Sequence, residues 1–328
     1  PNVYSVCSKS LQNSKDKAFQ EAAMWKIQLW LHNGHLNVSE WNRLTHFNNP
    51  YGFMEYNYTD IKRSVDLIPK PKYYQLLPVP SGSTDGCIRC AVVGTGGILN
   101  GSKMGTEIDS HDYVFRMNGA VTKGFEEDVG NKTSVYVHTS FSLTQSIIGL
   151  GESFKRIPHD EGIIYVMIPE GLRDFEWLEG LLGKKRMTYG SYKGYRPFTF
   201  YSDRFREDKF YVLHPDFLRY IRNRFLPSKT LETSHWAIYR PTNGAFTLFL
   251  ALHTCDIVKN NKKTDYIYHT FKYIKLESGV PDCMPVIRTC LRSAGGTCLI
   301  YTHLISSVWC SLRCVVSSSQ DLKSSVRP

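Results

Sequence analysis

A glycine-rich turn, GTGG at 94–97, directly follows a short apolar run and is the clearest local chemistry in the sequence. A turn of this kind between a strand and a helix brings backbone N–H groups close to a phosphate. A dinucleotide fingerprint would require an acid after the next strand, where the sequence has Arg116, Met117 and Asn118. A P-loop would require Gly-Lys-Ser/Thr after the glycines, which the sequence lacks. The turn therefore indicates a phosphate-bearing ligand that is neither a dehydrogenase cofactor nor a P-loop nucleotide.

Short apolar runs that alternate with helix-like segments must position this turn. The runs predict strands at 90–94, 113–117, 134–138, 163–168 and 210–213. The helix-like segments are 172–182, 215–225 and 243–257. This alternation predicts an α/β fold, Rossmann-like, with a mainly parallel sheet flanked by helices and ligands at the carboxyl ends of the strands.

Composition divides the chain near Val258. Residues 259–328 hold ten Lys and Arg but four acids, and so carry +6 of the net charge of +10. They also hold five of the nine cysteines and show no clear hydrophobic period. We predict three segments: a partly helical lead-in at 1–85 with helical spacing over 17–31, a catalytic domain at 86–258, and an irregular, poorly ordered tail at 259–328.

Cysteines and sequons favour the secretory pathway. The body of the chain holds an even set of four cysteines, and disulfides persist in that compartment. Four Asn-x-Ser/Thr sequons are candidate glycosylation sites, at Asn37, Asn57, Asn100 and Asn131. The basic residues are scattered and no stacked-aromatic motif accompanies them, which argues against a nucleic-acid partner.

Two long stretches resemble the sialyl motifs of animal sialyltransferases. Residues 87–140, which begin CIRCAVVGTGG and end VYVHTS, resemble the large sialyl motif, and PTNGAFTLFLALHTCDIV at 241–258 resembles the first part of the small motif. FSLTQSIIGLG at 141–151 and LHPDF at 213–217 resemble the branch that adds sialic acid α2,6 to N-acetylgalactosamine (GalNAc) on O-glycans. The resemblance covers essentially all of 1–258 and stops at Val258.

The resemblance implies transfer of sialic acid from CMP-sialic acid to the 6-hydroxyl of Ser/Thr-linked GalNAc on mucin-type glycoproteins. It implies an inverting, metal-independent enzyme without a cofactor, and the sequence has no Asp-x-Asp pair to hold a divalent ion. It also implies a location in the Golgi lumen as a single-pass type II membrane protein. A signal-anchor is then expected upstream of Pro1.

The same resemblance implies donor-binding residues. Asn118 matches a nucleotide-contacting position, although an Asn before Gly also forms ordinary turns. Thr242, Asn243 and Gly244 begin a helix that can bind the carboxylate of sialic acid, and Thr242 can also serve as a helix cap. Two positions depart from the family: Thr95 stands where a donor-contacting Asn is usual, and Asn243 stands where Ser or Thr is usual.

Disulfides are implied in the same way. The resemblance pairs Cys90 with Cys255 across the two motifs, and it supports a second pair between Cys7 and Cys87. Free buried thiols are the alternative at these positions.

The sequence after the small sialyl motif lacks the element that would supply the catalytic base. The resemblance implies a His-x-x-x-x-Glu element beyond the small motif, but the sequence after Asp256 has one Glu, Glu277, without a His five residues before it. The segment 268–273 is a faint match to the family's third motif. We therefore predict no catalytic residue, a strand lost after Val258, and a chain that is inactive if the base is indeed absent. The alternatives are a luminal module that binds CMP or glycan without catalysis, and a misfolded splice form or an erroneous gene prediction.

Overall fold

A seven-stranded sheet forms the centre of the computed structural model, which describes residues 7–72 and 75–260. The strand order is β1-β6-β5-β4-β3-β2-β7. The strands are β1 (Trp30–Leu31), β2 (Arg89–Val93), β3 (Tyr113–Met117), β4 (Val135–His138), β5 (Ile164–Met167), β6 (Phe210–Leu213) and β7 (Ile257–Asn260). Strands β2 to β7 are parallel, and β1 runs antiparallel to β6 at one edge. The predicted α/β fold with a mainly parallel sheet is confirmed.

Helices cover both faces of the sheet. They are α1 (Lys17–Ala22), α2 (Val38–Leu44), α3 (Tyr58–Val65), α4 (Gly105–Asp109), α5 (Glu126–Val129), α6 (Ser140–Leu150), α7 (Leu172–Leu182), α8 (Pro215–Phe225) and α9 (Asn243–Thr254). The bounds predicted for α7 and α8 are those observed. Helix α8 begins with proline at its first position, which suits a helix start because the missing N–H has no partner there.

Alternation along the strands builds two apolar layers. On β4, Val135 and Val137 pack in one layer with Phe249 of α9, and Tyr136 packs in the other with Trp177 of α7. All five side chains are buried. The sheet is thus covered on both faces, as parallel sheets usually are.

Helix α9 ends earlier than predicted, and a strand follows it. Cys255 has an extended backbone, so the helix does not continue to 257. The Asp256 carboxylate accepts a hydrogen bond from the Ile88 N–H at 2.9 Å, and the Ile257 N–H donates to the Ile88 carbonyl at 3.0 Å. These bonds start β7 parallel to β2. The prediction that the strand here is lost was wrong, because the polar pair at 259–260 was interpreted as the start of a charged loop.

The first segment also differs from its prediction. A helix forms over Lys17–Ala22 alone, and Trp30–Leu31 is a strand, so helical spacing over 17–31 was misleading. Trp30 pairs with Leu213, which adds this segment to the sheet itself. The division at residues 85 and 258 stays a prediction. The predicted disorder of the tail lies, apart from 259–260, outside the described residues.

Two disulfides tie the first parallel strand to its surroundings. Cys7 is bonded to Cys87, and Cys90 is bonded to Cys255. The second bond links β2 to the end of α9 across 165 residues of sequence, and cross-links that close long loops stabilise by a few kcal/mol. Within the described ranges, no helix is long and apolar enough to cross a membrane.

Candidate functional site

The carboxyl ends of the parallel strands share one edge of the sheet, and two predicted site segments leave the sheet there. Strand β2 continues into the turn at 94–97, and β3 continues into Asn118. Val93 lies opposite Arg116, so the two segments leave the sheet side by side. Ligands of open α/β sheets bind at this edge.

Asn118 is held by its backbone and keeps one side-chain donor free. Its φ is 51°, a left-handed conformation that asparagine tolerates better than most residues. Its N–H donates to the Val137 carbonyl at 3.2 Å, and its carbonyl accepts from the Tyr136 hydroxyl at 2.7 Å. Its Oδ1 accepts from Nδ2 of Asn243 at 2.8 Å. No described residue accepts a hydrogen bond from Asn118 Nδ2, which leaves that group for a ligand.

The amino-terminal end of α9 lies against the end of β3. The Thr242 hydroxyl oxygen accepts a hydrogen bond from the Ala245 N–H at 3.2 Å, so Thr242 is the helix cap. A Cβ added at Gly244 would lie 3.5 Å from Met117 Sδ, an ordinary van der Waals distance. The first N–H groups of a helix have no partner within it, and the helix dipole favours an anion there. Capping uses a lone pair of Thr242 and leaves its O–H able to donate to that anion.

Thr95 lies apart from these contacts. It is exposed, and its hydroxyl makes no hydrogen bond to a described residue. A Cβ added at Gly94, Gly96 or Gly97 would meet nothing within 4 Å. The structure therefore brings together Asn118, Asn243 and the start of α9, and it leaves open space around the glycine-rich turn.

The end of the neighbouring strand, β4, is closed. His138 is fully buried, and the Tyr201 hydroxyl lies 3.2 Å from its Nε2. His138 Nδ1 donates to the Thr139 carbonyl at 3.2 Å, so Nε2 of the neutral ring accepts from the Tyr201 hydroxyl, which itself accepts from Trp177 Nε1 at 3.3 Å. Burial lowers the pKa of His138 to about 4. The ring is consequently neutral and enclosed, and it cannot take a proton from a substrate.

A buried carboxylate fixes the turns after β4 and β5. Asp174 Oδ1 accepts from the Ser140 N–H at 2.8 Å and from the Ser140 hydroxyl at 2.6 Å. Its Oδ2 accepts from the N–H groups of Glu170 and Gly171, each at 2.9 Å. Burial raises the pKa of Asp174 to about 6. This cluster holds backbone in place and presents no group to a ligand.

Two further histidines near the helices are also structural. His214 Nδ1 accepts from the Asp216 N–H at 3.1 Å and so caps α8, and burial lowers its pKa to about 3. His253 accepts from the Tyr220 hydroxyl at 3.0 Å, and burial lowers its pKa to about 4. His235 is exposed on the loop before α9. The faint motif at 268–273, which contains His269, lies outside the described residues, and so do Glu277 and His303.

Sequence reasoning missed Arg240. Its Nη2 donates to Asn243 Oδ1 at 2.7 Å, and its Nη1 lies 3.5 Å from a carboxylate oxygen of Glu170. One signal was present in the sequence, because Arg240 directly precedes the Pro-Thr start of α9. A cation is unfavourable beside the positive end of a helix dipole unless something else holds it there.

The four sequon asparagines are exposed. Asn37 Oδ1 caps α2 by accepting from the Glu40 N–H at 3.0 Å, and Asn57 Oδ1 caps α3 by accepting from the Thr59 N–H at 2.9 Å. Glycosylation modifies Nδ2 and leaves Oδ1 free to accept, so capping and a glycan are compatible. Whether glycans are attached at these sites stays a prediction.

Known proteins similar to this chain share one enzyme class. The chain matches Glycosyltransferase family 29 (sialyltransferase) over residues 30–260. It is 48% identical over 260 residues to the alpha-N-acetylgalactosaminide alpha-2,6-sialyltransferase 1 of Gallus gallus, which covers 77% of this chain and 46% of that protein. The corresponding protein of Mus musculus is 49% identical over 264 residues, covering 78% and 50%. The chain thus spans about half the length of these relatives.

A solved structure supports the same assignment. The crystal structure of a mammalian sialyltransferase has a TM-score of 0.50 and 25% identity to this chain, covering 77% of this chain and 80% of that one. The mainly parallel sheet flanked by helices is thus a sialyltransferase-type glycosyltransferase fold. The chain belongs to glycosyltransferase family 29, the sialyltransferases. The resemblance read from 87–140 and 241–258 is confirmed.

Proposed function

We propose that this chain is a sialyltransferase domain that transfers sialic acid from CMP-sialic acid to the 6-hydroxyl of Ser/Thr-linked GalNAc on mucin-type glycoproteins. The observation that carries the proposal is the contact between Asn118 and Asn243. It joins the two sialyl-motif regions at the edge where ligands of such sheets bind. Relatives that are 48–49% identical are named as alpha-2,6-sialyltransferases that act on alpha-N-acetylgalactosaminide.

The donor is an anionic nucleotide sugar, and the site offers donors to an anion. Asn118 Nδ2, the Thr242 hydroxyl and the N–H groups at the start of α9 can bind its phosphate and carboxylate. The open turn containing Thr95 leaves room for the nucleotide beside them. The acceptor oxygen attacks the anomeric carbon, the bond to CMP breaks, and CMP leaves with the electron pair. We propose that the transfer needs neither a metal nor a cofactor.

The reaction also needs a base that takes the proton of the acceptor hydroxyl. The buried histidines His138, His214 and His253 have pKa values lowered by burial, and none offers an accessible ring nitrogen. These three side chains therefore do not serve as the base. If no other residue of the chain does, the chain binds CMP or a glycan without transfer, which is the second candidate function.

One experiment separates the two candidates. The full chain is incubated with CMP-sialic acid and a peptide that bears GalNAc on threonine, and the products are followed by mass spectrometry while CMP binding is measured by calorimetry. Sialylated peptide supports the enzyme, and the same peptide without GalNAc is the control. CMP binding without product supports the binding module, and the absence of both refutes the two functions together.

A chimera tests the origin of any inactivity. We expect that replacing 259–328 by the corresponding segment of the Gallus gallus relative gives product if the tail lacks only the base. A chimera that binds CMP and stays inactive would contradict this explanation.

We propose that the domain works in the Golgi lumen and is joined to a type II membrane anchor upstream of Pro1. Two disulfides and four exposed sequons support a luminal location. Expression in a secretory host followed by glycosidase treatment tests it. A loss of mass at the sequons supports it, and an unglycosylated, reduced chain contradicts it.

A further inference from the structure

Four side chains form a continuous line from the turn after β5 to the end of β3. Glu170 lies 3.5 Å from Arg240, Arg240 donates to Asn243 at 2.7 Å, and Asn243 donates to Asn118 at 2.8 Å. The side chains of Arg240 and Glu170 are 16% and 14% exposed. Interactions between charged groups are stronger where water is largely excluded.

The donors and acceptors along this line fix the orientation of both side-chain amides, those of Asn243 and Asn118. A guanidinium has donors and no acceptor, so the atom of Asn243 that faces Arg240 is Oδ1. Nδ2 of Asn243 must then face Asn118, whose Oδ1 accepts from it. The remaining amide group of Asn118, Nδ2, is the group without a partner among the described residues.

We propose that Arg240 is a positioning residue that, through Asn243, turns the side-chain amide of Asn118 so that its Nδ2 donor faces the bound nucleotide. This inference rests on the proposed function, because the ligand is taken to be CMP. An amide turned the other way would present a carbonyl oxygen to an anion, which repels it. The orientation therefore affects affinity although Arg240 itself does not contact the nucleotide.

The far end of the line is also fixed. Asp174 accepts from the N–H groups of Glu170 and Gly171 and so holds the turn that carries the Glu170 carboxylate. The Arg240 guanidinium lies 5.8 Å from the centre of the Phe246 ring on α9. The guanidinium thus lies near both a carboxylate and an aromatic ring, and each attracts a cation.

A hydroxyl in place of Asn243 would not need this cation. The O–H of a threonine rotates, so it can donate to Asn118 Oδ1 without being oriented by a neighbour. In an Asn243→Thr background, the affinity for CMP should therefore no longer depend on Arg240. A merely structural role of Arg240 would not depend on residue 243 in this way.

The test measures CMP binding to the full chain by calorimetry, with thermal unfolding of each variant measured in parallel. We expect Arg240→Met to weaken CMP binding about tenfold, the effect of one lost hydrogen bond of about 1.4 kcal/mol. Arg240→Lys keeps a donor and should recover most of the affinity. In the Asn243→Thr background, Arg240→Met should change the affinity less than about twofold. The matched control is Arg222→Met, which removes a half-buried arginine 3.9 Å from the Tyr51 ring, and should leave CMP binding unchanged.

Each outcome decides between the alternatives. If the unaltered chain binds CMP and Arg240→Met binds it equally well, the inference is wrong and the proposed function stands. If Arg240→Met weakens binding equally in both backgrounds, Arg240 acts without Asn243 and the inference is again wrong. If the unaltered chain does not bind CMP, both the proposed function and the inference that rests on it are overturned.

Discussion

The carboxyl ends of β3 and β4 are neighbours in the sheet, yet they differ in burial and in hydrogen bonding. Strand β3 is followed directly by half-buried Asn118, whose Nδ2 has no partner among the described residues. Strand β4 ends in His138, which is fully buried and has partners on both ring nitrogens. Beyond it, Asp174 accepts four hydrogen bonds from the following turns. A donor without a partner is therefore kept where a ligand can reach it, whereas the ring nitrogens of His138 and both carboxylate oxygens of Asp174 are paired.

The difference between the two strand ends shows that ligand access and stability are supplied by different residues of the same sheet. A left-handed backbone and an amide group without a partner at Asn118 cost stability, whereas the four hydrogen bonds to Asp174 add to it. Changes at the closed end should therefore act on stability, and changes at the open end should act on ligand affinity.

The largest effect is expected at the closed end. Asp174→Ala would leave four donors without their acceptor in the interior, and we expect the free energy of unfolding to fall by about 4 kcal/mol. Urea unfolding measures this change. Asp174→Asn, which keeps one oxygen, should lose less. A loss under about 1 kcal/mol for the alanine variant would contradict the role of this cluster.

A smaller effect is expected from pH at the same end. The unfolded chain binds a proton at His138 below its ordinary pKa of 6.5, whereas the folded chain does so only near 4. Stability is therefore present above pH 6.5 and is lost as the pH falls through this window. We expect His138 alone to lower the free energy of unfolding by about 2 kcal/mol between about pH 7 and about pH 5. His138→Gln should flatten the profile by that amount, and an unchanged slope would contradict the assignment of a neutral buried ring.

At the open end, Asn118→Gly should separate affinity from stability. Glycine adopts a φ of 51° without strain, so we expect the free energy of unfolding to change by less than about 1 kcal/mol. CMP binding should weaken about tenfold, because one donor to the nucleotide is lost. Calorimetry and urea unfolding of the same variant measure both quantities. Loss of stability without loss of affinity would reverse the comparison of the two strand ends.

The smallest effect is expected at the open turn. Thr95→Asn adds an amide at an exposed position with free space around it, and we expect CMP to bind about threefold more tightly through one exposed hydrogen bond. Thr95→Ser serves as the control and should leave the affinity as it is. Weaker binding by the asparagine variant would mean that the turn lies away from the nucleotide.

Local patterns were enough to predict most of the sheet. Strands at 113–117 and 210–213 and helices at 172–182 and 215–225 have the observed bounds because apolar runs of the right length end in turn residues. The two failures have one cause: β1 and β7 are edge strands completed by long-range hydrogen bonds, to Leu213 and to Ile88. Short edge strands carry little periodicity of their own.

The candidate site divides in the same way. Asn118, Thr242, Asn243 and Gly244 could be chosen because they follow a strand or begin a helix in recognisable motifs. Arg240 and Glu170 could not, because 70 residues of sequence separate two side chains that the fold brings to 3.5 Å. No spacing rule connects them.

The sequence by itself determined the α/β class, the family motifs and the two strand ends at which we propose that a nucleotide binds, since each of these follows from local residue types. Only the tertiary structure decided which strand end is open, which histidines are buried and neutral, and which cation orients the Asn118 amide. These properties depend on burial and on hydrogen bonds between residues far apart in sequence. A side chain acquires them only when the sheet is assembled.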